Sequence, residues 1–335
     1  MIRVIARRLG LMVFVIWGVT LITFLLSHVI PGDPARLMAG PKASPQAIEN
    51  IKREFGLTRP LVNQYTTYVG DLLHGNLGTS FLTRRSVGSD LSSFFPATLE
   101  LALFALIIGT VGGLSVALAI TWWRHTGADA GLRLGSAVSL AMPAFWAALL
   151  LKLAVGIKLG WLPLTGRLNP GATPPPHVTG LYTIDALMAG QFQTFWSALS
   201  HLILPGFTLS LGVFGLMARI MRSSLLDVRE EDYVRTADAK GLRPWRILRR
   251  HVLRNAMLPG ITVVGLQFGA LASGIFVVEY IFAWPGVGEY AFNAFQATDY
   301  NAIMGVTIVV AILYVLANFV VDMIYLYLDP RIRYA

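Results

Sequence analysis

The sequence predicts an all-α membrane protein with six transmembrane helices. Of its 335 residues, 55% are hydrophobic and only 13% are charged, whereas soluble domains average about 25% charged residues. A helix needs about 20 apolar residues to cross a bilayer, and six stretches of the chain reach that length. They run over residues 9–30, 98–122, 134–160, 202–221, 259–281 and 303–328.

The distribution of lysine and arginine predicts that both termini lie in the cytoplasm, because cytoplasmic loops of membrane proteins are enriched in these residues. The connection 282–302 has neither residue, and 161–201 contains only Arg167. Basic residues instead mark the long segment 222–258, the two termini and the connection after the second span: Arg3, Arg7, Arg8, Arg124, Arg133, Arg331 and Arg333. The first apolar run exceeds the length of a signal-peptide core, so we expect a signal-anchor helix.

The segment 31–97 is too long to be a plain connection between the first two spans. Ser44 and Pro45 suit the N-cap and first position of a helix, and apolar residues recur at helical spacing until Gly56. A second helical pattern runs over Val62–Leu73. We interpret the segment as a small helical subdomain outside the cytoplasm, with a mobile loop as the alternative. The predicted division is a cytoplasmic stub and first span (1–30), this subdomain (31–97) and the transmembrane core (98–335).

The segment 222–258 is a long, charged interruption in the apolar second half of the chain. It predicts two short helices, the first over Glu230–Lys240 and the second beginning at Pro244. In the second helix, Trp245, Leu248 and Val252 fall on one face, and the other face carries Arg246, Arg249, Arg250 and Arg254. Crossing a bilayer requires no such segment, so we interpret it as a docking surface. An amphipathic loop that lies on the membrane by itself is the alternative.

Polar residues inside apolar spans are costly and often functional. Gln267 and Ser273 lie deepest in the predicted fifth span, while Glu100 and Glu279 lie near the outer ends of spans. Trp284 lies in the Pro-Gly turn that follows the fifth span. We predict Gln267, Ser273, Glu279 and Trp284 as candidates to line a path through the membrane. Polar contacts between helices are the alternative, as is anchoring of Trp284 at the membrane interface.

The chain lacks the residues that several classes of function require. The chain has no cysteine, its six histidines show no metal-ligand spacing, and it contains no Walker A sequence. We therefore expect no metal, no cofactor, no ATP bound through a P-loop and no enzymatic nucleophile with its base. The net charge of +9 lies beside apolar spans, which fits a membrane surface better than nucleic acid. A secondary transporter or channel is an alternative, although few charged residues lie deep in the spans.

A series of short motifs is spread along the whole chain. They are Pro31-Gly32-Asp33-Pro34, Phe55-Gly56-Leu57, Gly75-Asn76-Leu77-Gly78-Thr79-Ser80, Pro96-Ala97-Thr98-Leu99-Glu100-Leu101, Asp232-Tyr233-Val234-Arg235-Thr236-Ala237, Ala239-Lys240-Gly241, His251-Val252-Leu253-Arg254-Asn255-Ala256, Glu279-Tyr280-Ile281-Phe282-Ala283-Trp284-Pro285-Gly286 and Asp329-Pro330-Arg331. Each motif is weak alone, and together they are specific. With them the chain resembles the permease subunits of bacterial ATP-binding-cassette (ABC) importers, in particular the dipeptide, oligopeptide and nickel branch.

The resemblance implies the type I ABC importer permease fold in a bacterial inner membrane. It implies a transport subunit without its own ATPase site, which forms the path for di- and oligopeptides together with a homologous permease subunit. The other implied partners are two ABC ATPase subunits and an extracytoplasmic substrate-binding protein. Apart from the resemblance, the basic face of the second helix in 222–258 is expected to contact membrane lipid or the partner protein. Nickel, glutathione and opine-like solutes are the alternative substrates in this branch.

In this family a cytoplasmic helix, the EAA motif, seats in a groove of the ATPase subunit. Carried onto this sequence, the ATPase-coupling segment consists of Glu231, Asp232, Tyr233, Val234, Arg235, Thr236, Ala237, Asp238, Ala239, Lys240 and Gly241. The chain has Arg235-Thr236-Ala237 where Glu-Ala-Ala is usual. We therefore expect Glu231 or Asp232 to supply the acidic contact with the ATPase. Gly241 suits a left-handed cap that ends the helix, and Pro244 suits the start of the next one.

Overall fold

The computed structural model describes residues 2–29, 43–54, 58–123 and 126–328. Within them the α-helices are, in chain order, α1 Ile2–Val29, α2 Pro45–Glu54, α3 Leu61–Leu73, α4 Val87–Trp122, α5 Gly127–Ala141, α6 Ala144–Leu151, α7 Tyr182–Met188, α8 Phe192–Arg229, α9 Asp232–Ala239, α10 Pro244–Ile247, α11 Leu253–Gly274, α12 Phe276–Ile281, α13 Val287–Gln296 and α14 Tyr300–Leu328. Two π-helical stretches, Lys152–Lys158 and Leu248–Val252, follow α6 and α10. The predicted all-helical class is confirmed.

Four helical segments in the described part of the chain are long and apolar enough to cross a membrane. They are Ile5–Leu26, Val87–Trp122, Phe192–Arg229 and Tyr300–Met323. A bent pair, Asp129–Ala141 with Ala144–Lys158, gives a fifth if it is counted as one span. The predicted fifth span, 259–281, is divided between α11 and α12 with Ile275 between them. The count of six spans therefore stays a prediction.

The predicted third span, 134–160, is not one straight helix. Its two halves meet at an angle of 107°, at Met142 and Pro143. Met142 has an extended backbone (φ −76°, ψ 121°), the conformation that a following proline favours. Pro143 then precedes the first residue of α6. The apolar pattern indicated a span here but gave no measure of the bend.

The two helices expected in 31–97 are present. The first begins at Pro45, and the Ser44 hydroxyl accepts a hydrogen bond from the Ala47 amide at 3.2 Å, as an N-cap does. The second runs over Leu61–Leu73 and packs on α1, where the Thr20 and Tyr65 hydroxyls lie 2.9 Å apart. The predicted end of the first helix at Gly56 lies outside the described residues.

Backbone contacts divide the chain into two compact units, Met1–Phe95 with Gly286–Val315 and Pro96–Pro285 with Leu316–Ala335. The first unit buries a core that combines residues of α4, α13 and α14: Val87, Leu91, Val287, Tyr290, Ala294, Ala302 and Val306. The division into 1–30, 31–97 and 98–335 stays a prediction.

The second unit is built around α8. Its 38 residues make a helix about 57 Å long, well beyond the roughly 30 Å of a hydrocarbon core. One core cluster includes Leu202, Leu209 and Val213 of this helix, and a second includes its Met217 and Leu225. The helix therefore links two packed regions at different positions along its length, and the second region contains the predicted coupling segment.

The helix α4 crosses α8 at a close approach that only glycine allows. A Cβ atom added at Gly109 would lie 2.6 Å from the Cβ of Val213, and one added at Gly113 would lie 2.7 Å from that of Met217. Small residues in membrane helices permit such backbone contact. These glycines therefore serve close packing between the two helices.

Candidate functional site

The predicted coupling segment forms a short helix, α9, with one narrow buried face. Val234 and Ala237, three residues apart, are only 4% and 6% exposed and belong to the core cluster of Met217, Met221, Leu225, Ile247, Leu248 and Val252. The other nine residues of the segment 231–241 are exposed. The helix therefore rests on two small apolar side chains and presents nearly all of its polar groups outward.

The polar groups of this exposed face are held mostly by local contacts. Asp232 lies 3.7 Å from Arg235 in an exposed ion pair, a type that contributes little to stability. The Thr236 hydroxyl donates to the Asp232 carbonyl at 2.8 Å. These charges are therefore available to another molecule at little cost.

Gly241 ends α9 in the way that the sequence predicts. Its φ is +73°, in the left-handed region where glycine carries no steric penalty. Its amide donates to the Asp238 carbonyl at 2.8 Å, and the Leu242 amide donates to the Ala237 carbonyl at 3.3 Å. This pair of bonds is a Schellman motif, and it turns the chain so that Leu242 packs against the same core cluster as Ala237.

The second helix of the segment begins at Pro244 and continues through the π-helical stretch Leu248–Val252 directly into α11. Its buried face consists of Ile247, Leu248 and Val252. The prediction that Trp245 shares this face is wrong, because Trp245 is 58% exposed. Its ring lies edge-on to that of Trp122, with 6.3 Å between the ring centroids. Ile247 completes the buried face instead.

Tyr233 joins α9 to the start of α11. Its hydroxyl accepts a hydrogen bond from the Asn255 side-chain amide at 2.8 Å. The same amide nitrogen donates to the His251 carbonyl at 3.1 Å. This contact is polar and exposed, and it links the segment between α8 and α10 directly to the helix that continues toward the predicted fifth span.

The four candidate path residues are placed differently from one another. Gln267 is half-buried on α11, and Ser273 lies in the last turn of α11 with its side chain outside the described residues. Glu279 is 0% exposed and accepts a hydrogen bond from the Thr98 hydroxyl at 2.7 Å. Trp284 is 1% exposed, and its indole N–H donates to the Ala97 carbonyl at 2.9 Å. In this conformation Glu279 and Trp284 hold α4, at Ala97 and Thr98, inside a packed core.

A buried ion pair joins Glu100 and Arg167, which lie far apart in the sequence. Arg167 donates to Glu100 at 2.5 Å and to the Gly180 carbonyl at 3.0 Å. Its guanidinium group lies 3.5 Å from the centre of the Tyr182 ring, a cation–π contact. Glu100 also accepts hydrogen bonds from the amide and hydroxyl of Thr183. The single lysine or arginine of 161–201 thus fastens that loop to α4.

The same loop contains a carboxylate that fixes a turn. Asp185 accepts hydrogen bonds from the amides of Val178, Thr179 and Gly180 and from the Thr179 hydroxyl. Burial alone would raise the pKa of Asp185, but these hydrogen bonds outweigh it, and the pKa lies below its usual range. The loop is therefore ordered by charged groups as well as by its prolines.

The first unit contains a second polar network that sequence reasoning missed. Asp299 accepts hydrogen bonds from the Ser80 hydroxyl at 2.6 Å and the Leu82 amide at 3.0 Å. Asp90 accepts from the Tyr290 hydroxyl at 3.2 Å, and burial raises the pKa of that phenol. In the sequence, the only indication of this network was the presence of polar residues beside the Gly75–Ser80 motif. They do not identify partners some 200 residues away.

Comparisons with known proteins match nearly the whole chain to one family of transport proteins. Residues 109–334 match the family described as "Binding-protein-dependent transport system inner membrane component", and residues 1–102 match the corresponding N-terminal family. The probable D,D-dipeptide transport system permease protein DdpB of Escherichia coli (strain K12) is 45% identical over 98% of this chain and 97% of its own length. The di/tripeptide transport system permease protein DppB of Pseudomonas aeruginosa is 42% identical over 100% and 99%. The glutathione transport system permease protein GsiC of Escherichia coli O6:H1 is 37% identical over 99% and 98%. The chain therefore belongs to the family of inner membrane components of binding-protein-dependent transport systems.

Proposed function

We propose that this chain is a permease subunit of an ABC importer for di- and oligopeptides in the inner membrane of a bacterium. The observation that carries the proposal is the coupling segment, whose Val234 and Ala237 are buried while its other residues are exposed. A helix held in this way transmits a push on its outer face to the core around α8. The dipeptide and di/tripeptide permeases that this chain matches over nearly their full length support a peptide substrate.

The protein is a multi-pass membrane protein, and we propose six spans with both termini in the cytoplasm. The distribution of lysine and arginine supports this orientation. In it, segment 222–258 faces the cytoplasm and 31–97 forms a subdomain on the opposite side. The core, residues 98–335, contains the coupling segment.

The proposed partners follow from what the chain does not supply itself. A homologous permease subunit completes the path, and two ATPase subunits supply the energy through Glu231–Gly241. A substrate-binding protein delivers the peptide from outside. Closure of the ATPase pair would displace α9 and shift the spans between two packings, which is alternating access.

We propose Gln267 and Ser273 as lining residues of the path, since both lie on α11 in the predicted fifth span. Glu279 and Trp284 are proposed to contribute only after the core around Thr98 and Ala97 has repacked, because both are buried in this conformation. The acidic ATPase contact is proposed for Glu231 or Asp232, both exposed.

Reconstitution tests the division of labour. The purified chain alone is expected to hydrolyse no ATP, whereas liposomes that also contain the paired permease, the ATPases and the binding protein are expected to take up labelled dipeptide with ATP. A mock purification from cells that lack the chain controls for contaminating ATPases. If that control shows no ATP hydrolysis and the purified chain alone does, the assignment is contradicted. Glutathione import is the second candidate, favoured by the glutathione permease relative. Competition between glutathione and dipeptide for uptake decides between them.

The Tyr233 contact gives a graded prediction for coupling. The change Tyr233→Phe removes a hydrogen bond from Asn255 that is worth about 0.5–1 kcal/mol at an exposed site, so peptide-stimulated ATP hydrolysis by the assembled transporter should fall about two- to fivefold. The change Asn255→Ala should have a similar effect. The double variant should be no worse than the more severe single variant, because both changes remove the same bond. Additive losses would show that the two residues act separately.

A further inference from the structure

Five residues of the second helix surround an exposed hollow of about 420 Å³, which we call the arginine hollow. They are Trp245, Arg246, Arg249, Arg250 and Arg254. All five side chains are exposed. The hollow lies on the opposite side of the helix from Ile247, Leu248 and Val252, which are buried in the core cluster.

The arginine hollow concentrates positive charge without compensation from the described part of the chain. None of the four arginines forms an ion pair with a described residue, and no acidic side chain lines the hollow. Arg246, Arg250 and Arg254 follow one another at four-residue spacing, where like charges destabilise a helix. A bound anion would relieve this repulsion, and planar guanidinium groups bind phosphate with paired hydrogen bonds.

The position of the hollow along the helix selects the source of the anion. The continuous apolar part of α11 begins at Ala256. Arg254 and Arg250 precede Ala256 by about 3 Å and 9 Å along a helix that rises 1.5 Å per residue. The polar regions of a bilayer add about 5–7 Å on each side of the hydrocarbon core, so these two guanidinium groups reach the depth of lipid phosphates. Basic clusters that directly precede a span on its cytoplasmic side attract anionic lipid.

We propose that the arginine hollow binds the headgroup of an anionic phospholipid of the cytoplasmic leaflet. The proposal rests on the proposed function, because it requires the cytoplasmic placement of segment 222–258, and it assigns a site to the membrane lipid expected from the sequence. Leu248 and Val252, on the opposite face of the same helix, share a core cluster with Val234 and Ala237 of the coupling segment. A lipid bound in the hollow would therefore hold the support on which α9 rests at a fixed height above the membrane.

Native mass spectrometry of the purified full-length chain tests the proposal, with phosphatidylglycerol and phosphatidylcholine added as probes. The wild-type chain is expected to retain phosphatidylglycerol in preference to phosphatidylcholine. The double variant Arg249→Ala/Arg250→Ala is expected to bind phosphatidylglycerol at least about tenfold more weakly, since hydrogen bonds to charged groups are lost. The change Arg243→Ala is the matched control, because Arg243 is an exposed arginine of the same segment that does not line the hollow.

Three outcomes would overturn the proposal. Equal retention of the two lipids would remove the need for an anionic headgroup. An equal loss in the Arg243→Ala variant would show a diffuse effect of charge and no site. Release of phosphatidylglycerol when the ATPase subunits are added would identify an acidic protein surface as the occupant. None of these measurements requires transport, so failure of the lipid site and failure of dipeptide uptake are distinguishable.

Discussion

Replacing Gly241 with valine is expected to lower peptide uptake by the assembled transporter at least about tenfold while the chain remains in the membrane. The residue has φ +73°, and holding a β-branched residue in this region costs about 1–3 kcal/mol. The chain would relieve that strain by giving up the two hydrogen bonds that end α9, to Asp238 and Ala237. The coupling segment would then lose its fixed end. Uptake and ATP hydrolysis measured together would show whether the two processes have become uncoupled.

The matched control is Gly241→Asn, because asparagine tolerates the left-handed region better than other residues with a Cβ. An added Cβ at Gly241 meets no atom within 4 Å, so crowding does not distinguish the two variants. Asparagine should therefore retain most of the uptake that valine loses. Equal loss in both variants would mean that the bare backbone of glycine contacts a partner directly, and normal uptake in both would refute the coupling assignment.

Replacing Arg167 with alanine is expected to reduce the free energy of unfolding by about 3–5 kcal/mol, the cost of leaving one charge of a buried pair without its partner. The group left behind is the Glu100 carboxylate, which is buried and would keep only its hydrogen bonds from Thr183. The lost contact with the Tyr182 ring adds to the cost. Thermal unfolding of the detergent-solubilised chain, followed by fluorescence-detected size exclusion, measures the effect.

Two further variants separate charge from general damage. The pair Glu100→Leu with Arg167→Met removes both charges and should recover part of the lost stability, since apolar pairs often replace buried ion pairs well. The exposed pair of Arg53 and Glu49, 3.4 Å apart, provides the comparison. The change Arg53→Ala should cost less than about 1 kcal/mol. A double variant less stable than Arg167→Ala alone would show that the pair acts through packing and not through charge.

Sequence patterns were sufficient where local physics decides the structure. The cap at Ser44, the glycine stop at Gly241 and the restart at Pro244 depend on side chains within a few residues, and all three occur as predicted. Long apolar runs likewise mark α4, α8 and α14. The second predicted span ends with α4 at Trp122, but α4 begins well before it, and α8 extends beyond both ends of its predicted span into polar sequence. Hydropathy identifies the stretch of a helix that is apolar enough to lie in the membrane, whereas the helix itself continues for as long as its backbone hydrogen bonds are satisfied.

Contacts between distant segments could not be predicted from patterns. Glu100 lies near the outer end of a predicted span and Arg167 is the one lysine or arginine of 161–201, but nothing in the sequence pairs them across 67 positions. Glu279 and Trp284 were interpreted from their predicted depth, which does not reveal that Thr98 and Ala97 occupy their polar atoms. Burial on one side of a helix depends on the neighbouring helices, and a single sequence does not identify them.

The outward face of the coupling segment has a consequence for how a partner finds it. Its exposed charges are three carboxylates and two cationic groups, interspersed over eleven residues: Glu231, Asp232, Arg235, Asp238 and Lys240. These charges of both signs lie at short spacing and sum to only −1, so this face by itself projects a weak long-range field. Electrostatic steering by this face would therefore contribute little to the rate of encounter. A partner would be distinguished only at contact, by the match of individual charges, which gives specificity more than speed.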